Sequence, residues 1–123
     1  MSISLKLTGI ALLYIIAIIL GFWLNKTGKP YSPLIFNIHK LVSLAAVVFT
    51  GIVVYNLLKQ TESHPLLTLL IIAAVILYLA LIVSGGLLNL DKPFYSLLRL
   101  VHKIMPAFAL GLTIWIFYLM LKK

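Results

Sequence analysis

Three histidines carry most of the chemistry open to this chain. His39 and His102 are 63 residues apart, each is followed directly by a lysine (Lys40, Lys103), and both sit where an apolar run begins. His64 lies in the polar stretch Gln60-Thr61-Glu62-Ser63-His64-Pro65 and reads as a solvated loop residue. An imidazole can ligate a metal, carry a proton near neutral pH, or hydrogen-bond to a neighbouring helix in lipid. Competing chemistries are scarce. There is no cysteine, so thiolate ligation, disulfides and cysteine-held Fe–S clusters are excluded. The only acids, Glu62 and Asp91, fall in breaks between apolar runs.

The elements that position these residues follow from hydropathy. Of 123 residues, 63% are hydrophobic, against about 45–50% in soluble domains. A formal net charge of +8 in a small soluble protein would suggest nucleic acid, but here the basic residues cluster where apolar runs end, as in membrane proteins. No nucleic-acid partner is expected; the lipid bilayer is.

Four runs approach the roughly 20 residues a span requires. The first covers about Leu5 to Leu24 and ends in Phe22-Trp23-Leu24-Asn25 without a small-x-small cleavage site, so it reads as a retained span rather than a signal peptide. The second runs from about Pro33 to Lys59, with Asn37, His39 and Lys40 in its first turns. The third, Leu66 to Leu90, is uncharged and interrupted only by Ser84-Gly85-Gly86. The fourth has Arg99, His102 and Lys103 in its first turns and is apolar from Ile104 to Leu121, before Lys122-Lys123. Short polar breaks, Asn25 to Pro30, Gln60 to Pro65 and Asp91-Lys92-Pro93, make neighbours antiparallel. The expected fold is an all-α, integral membrane four-helix up-down bundle forming a single transmembrane domain over 1–123. The expected location is multi-pass in a cell membrane of prokaryotic type.

A shift of 63 aligns the second span on the fourth without a gap. Lys29 meets Lys92, Pro30 meets Pro93, Leu34 meets Leu97, His39 meets His102 and Lys40 meets Lys103. Ala46 then meets Ala109, Thr50 meets Thr113, Tyr55 meets Tyr118, Leu58 meets Leu121 and Lys59 meets Lys122. Matched leucines mean little at this composition; matched Lys-Pro, His-Lys, Thr and Tyr mean more. The first and third spans match weakly, at Ala11/Ala74, Ala17/Ala80, Ile19/Ile82 and Leu24/Leu87. The chain therefore reads as two hairpins in one orientation, repeat 1 over about 1–60 and repeat 2 over about 64–123. Parallel repeats are related by a pseudo-two-fold axis along the membrane normal, which would set His39 and His102 at one depth, pointing toward each other.

Ionisable residues inside spans mark function more often than not. Two imidazoles at one depth are the axial ligand set of a haem b, and helix bundles build cofactor sites from facing helices. The residues after each histidine on its own helix face are small or flexible near the ligand: Val42, Ser43, Ala46, Thr50 and Met105, Pro106, Ala109, Thr113. Pro106 has no N–H, so the His102 carbonyl lacks its usual helical partner and a kink is expected in the second repeat alone. Haem propionates need cations. Arg99, three residues before His102, shares its face, and its counterpart Phe36 carries no charge. Lys40 and Lys103 are rotated by about 100° but can lean toward the helix start and snorkel to the same surface. The expected site is thus His39 and His102 on the iron, with Arg99, Lys40 and Lys103 at the propionates.

The paired His-Lys, and above all Leu98-Arg99-Leu100-Val101-His102-Lys103, resemble the ligand helices of four-helix membrane b-type cytochromes, a superfamily that includes di-haem cytochromes b and ferric-reductase transmembrane domains. The resemblance spans the four-helix architecture through short motifs. It implies bis-histidine haem b and transmembrane or quinone-linked electron transfer. Di-haem members carry a second histidine about four turns further along; Val53 and Ile116 stand there in this chain, so only one haem is expected.

That limit shapes the mechanism. His39 lies six residues into its helix, about 9 Å from the end at 1.5 Å per residue, against a hydrocarbon core of about 30 Å. One haem near one face implies one-sided electron transfer, with a quinone, another haem or a docked redox protein as partner, in a subunit of a larger redox complex or alone. Two alternatives remain: a small membrane transporter, disfavoured because both acids lie in loops, and a cofactor-free structural or assembly subunit in which His-Lys sets helix register. The positive-inside rule leans toward a cytoplasmic histidine side, carrying Lys26, Lys29, Lys40, Lys92, Arg99 and Lys103 against Lys6, Lys59, Lys122 and Lys123.

Overall fold

The computed structural model describes residues 2–62, 64–88 and 94–122, and they form four α-helices: α1 (Ile3–Thr27), α2 (Pro33–Leu58), α3 (Pro65–Leu88) and α4 (Tyr95–Leu121). The Asp91-Lys92-Pro93 turn, with the Lys29/Lys92 and Pro30/Pro93 matches, lies outside the described residues, as do Ser63, the Asn89-Leu90 end of the third run, and Lys123. There is no strand among the described residues. The fold is all-α.

Local chemistry sets the helix ends. Ser2 caps α1, its Oγ accepting from the Leu5 N–H at 3.2 Å, one of the donors a helix start leaves unpaired. Lys26 in the last turn complements the negative end of the helix dipole. Gly28 stops α1: its φ of 69° lies in the left-handed region that glycine enters without penalty, and its N–H returns to the Leu24 carbonyl at 2.9 Å. Pro33 and Pro65 take the first positions of α2 and α3, where a missing N–H costs nothing. Ser32 Oγ accepts from Ile35 N at 3.5 Å ahead of α2. Ahead of α3, His64 Nδ1 accepts from Leu67 N at 3.4 Å, so the loop histidine caps a helix. α4 runs unbroken through Pro106.

Each helix is 24 to 27 residues long, about 36–40 Å at 1.5 Å per residue, and apolar enough to cross a membrane. The exposed large side chains are overwhelmingly apolar, among them Leu12, Ile19, Ile52, Leu69, Ile76, Phe108 and Ile114. Lipid suits such surfaces and water does not. This is a multi-pass membrane architecture.

The chain divides into two compact units, Met1–Tyr55 and Asn56–Lys123, each built on one helical hairpin. In the first, Gly9 approaches Phe49 and Gly21 approaches His39, so rising numbers on α1 meet falling numbers on α2. The helices are antiparallel. In the second, Ser84 meets His102 and Tyr78 meets Thr113, with the same consequence for α3 and α4. The most buried positions of α2 are Ala46, Thr50 and Val53; in α4, Ala109, Thr113 and Ile116 are buried, the same three places after the 63-residue shift. Repetition in sequence is thus repetition of the buried stripe.

Candidate functional site

In the first hairpin, His39 is half-buried and turned toward α1. Its Nδ1 lies 3.0 Å from the Ala17 carbonyl oxygen. A carbonyl only accepts, so Nδ1 carries the proton and donates it, and in the neutral ring Nε2 holds the lone pair. The approach depends on Gly21. Ala17 O points along α1 toward residue 21, as helical carbonyls do, and a Cβ at Gly21 would stand 3.2 Å from His39 Cε1. The missing side chain gives the ring its seat.

In the second hairpin, the His102 ring is also half-buried, against α3, but meets different chemistry. Its Nδ1 lies 2.9 Å from Ser84 Oγ, and Ser84 is itself buried. Ser84 Oγ also lies 3.2 Å from the Leu81 carbonyl, to which it gives its one proton. With that proton on the Leu81 carbonyl, the hydroxyl oxygen accepts from Nδ1 and Nε2 holds the lone pair, as in the first hairpin. Ser84 occupies the repeat position of Gly21, and the glycine seat moves one residue on, to Gly85, where a Cβ would stand 2.9 Å from His102 Cε1. Both halves thus dock the imidazole through Nδ1 on the preceding helix, one on main chain and one on a hydroxyl. Histidines that ligate metals almost always donate their other ring N–H in this way, fixing tautomer and orientation. The donor chemistry fits a haem iron.

The expected cations are placed as follows. Lys40 is exposed, and its ammonium stands 5.7 Å from the centre of the Phe36 ring, a cation–π distance. Phe36 in turn stacks on Tyr31, with ring centres 5.9 Å apart. The lysine thus leans back one turn, carrying its charge to the level of Phe36, the counterpart of Arg99. Arg99 and Lys103 are exposed on α4. The hairpins bring each histidine to its neighbouring helix, and they bring Lys40 to Phe36 rather than to His39.

Below the histidines the buried stripe is closed by hydroxyls. Thr50 Oγ1 donates to Ala46 O at 2.7 Å, and Thr113 Oγ1 to Ala109 O at 2.8 Å. Thr113 also pairs with the buried Tyr78 hydroxyl of α3, at a position where the first hairpin has Ile15. Gly21, Ser84, Gly85 and Tyr78 escape sequence reasoning, although Ser84-Gly85-Gly86 is visible as the one break in the third run. In an antiparallel hairpin the small residues facing a histidine are found by counting back from the turn; that count finds them. Among the described residues no three or more His, Cys, Asp or Glu side chains group together, so these residues form no closed, side-chain-only metal site of the tetrahedral kind.

The chain matches no protein-family profile, no curated protein and no solved structure.

Proposed function

We propose that this chain is a membrane haem b protein in which His39 and His102 are the two axial ligands of one haem, serving one-sided electron transfer to or from a quinone, another haem or a docked redox partner. The observation that carries the reading is the repeated imidazole docking. In each hairpin Nδ1 lies within hydrogen-bond distance of an acceptor on the preceding helix, which favours the tautomer whose lone pair is on Nε2, the form that axial ligation uses. A bound haem would supply a one-electron couple; the protein supplies ligands, orientation and an apolar surround. Ala17 and Ser84 orient the rings, Gly21 and Gly85 make room for them, and Arg99, Lys40 and Lys103 offer cations toward the helix start. His39 is six residues into α2 and His102 seven into α4, about 9–10 Å from the helix ends. One haem at that depth serves one face of the membrane.

A second reading rests on the same hydrogen bonds. Histidine bonds across helices stabilise membrane hairpins without any cofactor, so a structural or assembly subunit would also keep His39 on Ala17 and His102 on Ser84. A transporter gains less support, since Glu62 is in an exposed loop and the sequence puts Asp91 in the break between the third and fourth apolar runs.

The deciding experiment is purification of the chain from haem-replete cells. A red protein with sharp reduced α and β bands is expected, with the bands lost in His39→Ala and in His102→Ala. A colourless preparation that takes up no added haem overturns the haem reading in favour of the structural one.

A further inference from the structure

The two hairpins hold their imidazoles with acceptors of unequal strength. A backbone carbonyl in a helix is a strong acceptor whose dipole is aligned with its neighbours; a serine hydroxyl is a weaker one. The stronger the bond from Nδ1–H, the more electron density reaches Nε2 and the more basic that nitrogen becomes. In the first hairpin this lever is main chain, Ala17 O at 3.0 Å. In the second it is Ser84 Oγ at 2.9 Å, buried and polarised by its own bond to Leu81 O.

We propose that Ser84 is a positioning and tuning residue for His102, fixing its tautomer and setting its donor strength below that of His39; this rests on the haem reading for its redox consequence and on geometry alone for the tautomer. Two variants separate this from a mere packing role. With the seat moved from Gly21 to Gly85, the carbonyl equivalent to Ala17 O, four residues before the seat, is Leu81 O, and Ser84 Oγ already bonds to it. Ser84→Ala strips the hydroxyl that lies 2.9 Å from Nδ1, and Ser84→Thr keeps a hydroxyl at the same place. For helix stability alone the order is reversed, because threonine is a worse helix former than alanine by up to about 0.7 kcal/mol.

The test compares wild type, Ser84→Ala and Ser84→Thr as full chains in detergent, with histidine 15N-labelled. Nitrogen chemical shifts report the tautomer, with His102 assigned by its loss in His102→Ala, and a redox titration reports the midpoint where haem is present. Wild type and Ser84→Thr should show the Nδ1–H tautomer at His102; Ser84→Ala should show a mixture. In haem-loaded protein Ser84→Ala should also bind haem about 10–100-fold more weakly, the usual cost of an outer-shell partner, with its midpoint moved positive and Ser84→Thr closer to wild type. An unchanged tautomer in Ser84→Ala overturns the proposal, as does a Ser84→Thr protein more disturbed than Ser84→Ala. If wild type proves colourless, the haem reading fails by itself and the nitrogen shifts alone decide the role of Ser84.

Discussion

The His102 ring rests on the bare backbone of Gly85, so closely that a single added carbon there would stand 2.9 Å from Cε1. The same carbon at Gly21 would stand 3.2 Å from His39 Cε1. At the shorter distance a neighbour has to move, and the neighbour is the end of a side chain rather than backbone. Gly85→Ala should therefore turn His102 away from Ser84 while the helix folds. Gly21→Ala should do the same more weakly to His39. We expect the His102 nitrogen shifts to change strongly in Gly85→Ala and any haem bands to fall sharply. Gly111→Ala, where the added carbon meets open space, should leave both unchanged and stabilise α4 by up to about 1 kcal/mol. A Gly85→Ala protein with wild-type shifts would show that the seat is not needed.

The charges at the helix starts differ between repeats, and so should their loss. Arg99→Gln should weaken haem binding by about two- to fivefold, the size of an exposed ion pair. Lys40→Gln should have a smaller effect, since part of that ammonium's interaction is with Phe36. Raising the salt concentration should shrink both differences. Haem titration of detergent-solubilised protein at two ionic strengths measures this.

Thr113→Val leaves the buried Tyr78 hydroxyl without its threonine partner. In a membrane protein such a loss costs between about 0.6 and 1.7 kcal/mol. Thr50→Val deletes a bond to the threonine's own helix, to Ala46 O, and should cost less. Denaturation in mixed micelles, with the two variants measured side by side, gives the comparison; equal losses would remove the special role of the Tyr78–Thr113 pair.

His64 accepts from the Leu67 N–H at the start of α3, at a distance typical of a weak bond. His64→Ala should cost no more than about 0.5–1 kcal/mol, the low end of cap losses, and His64→Asp should recover it. Neither should alter the His39 or His102 nitrogen shifts.

Most of the helical architecture is legible in the sequence because one quantity governs it. Uninterrupted hydropathy has few solutions in lipid, and prolines and a glycine mark the ends, so Leu5 to Leu24 becomes α1 at Ile3–Thr27 and the second run becomes α2 at Pro33–Leu58. The stripe Ala46, Thr50, Val53 and its copy follow from the 63-residue repeat together with helical periodicity. The histidine partners are harder to read, because the contact is made between helices and by atoms that carry no sequence label. The Ala17 acceptor is a carbonyl that every residue has, and the Gly21 contribution is an absence. Ser84 is a polar side chain visible in the third run, yet its link to His102 appears only once α3 and α4 are laid antiparallel. His64 looks like loop, and becomes a cap through a backbone N–H three residues on.

The difference between Ala17 and Ser84 also bears on how each half can vary over generations. The carbonyl that holds His39 belongs to the main chain, and substituting Ala17 changes its side chain but never deletes that oxygen. The hydroxyl that holds His102 is a side-chain atom, and one codon change removes it. Of the two repeats, one has its imidazole tied to an acceptor that no substitution deletes, and the other to an acceptor that a single substitution removes.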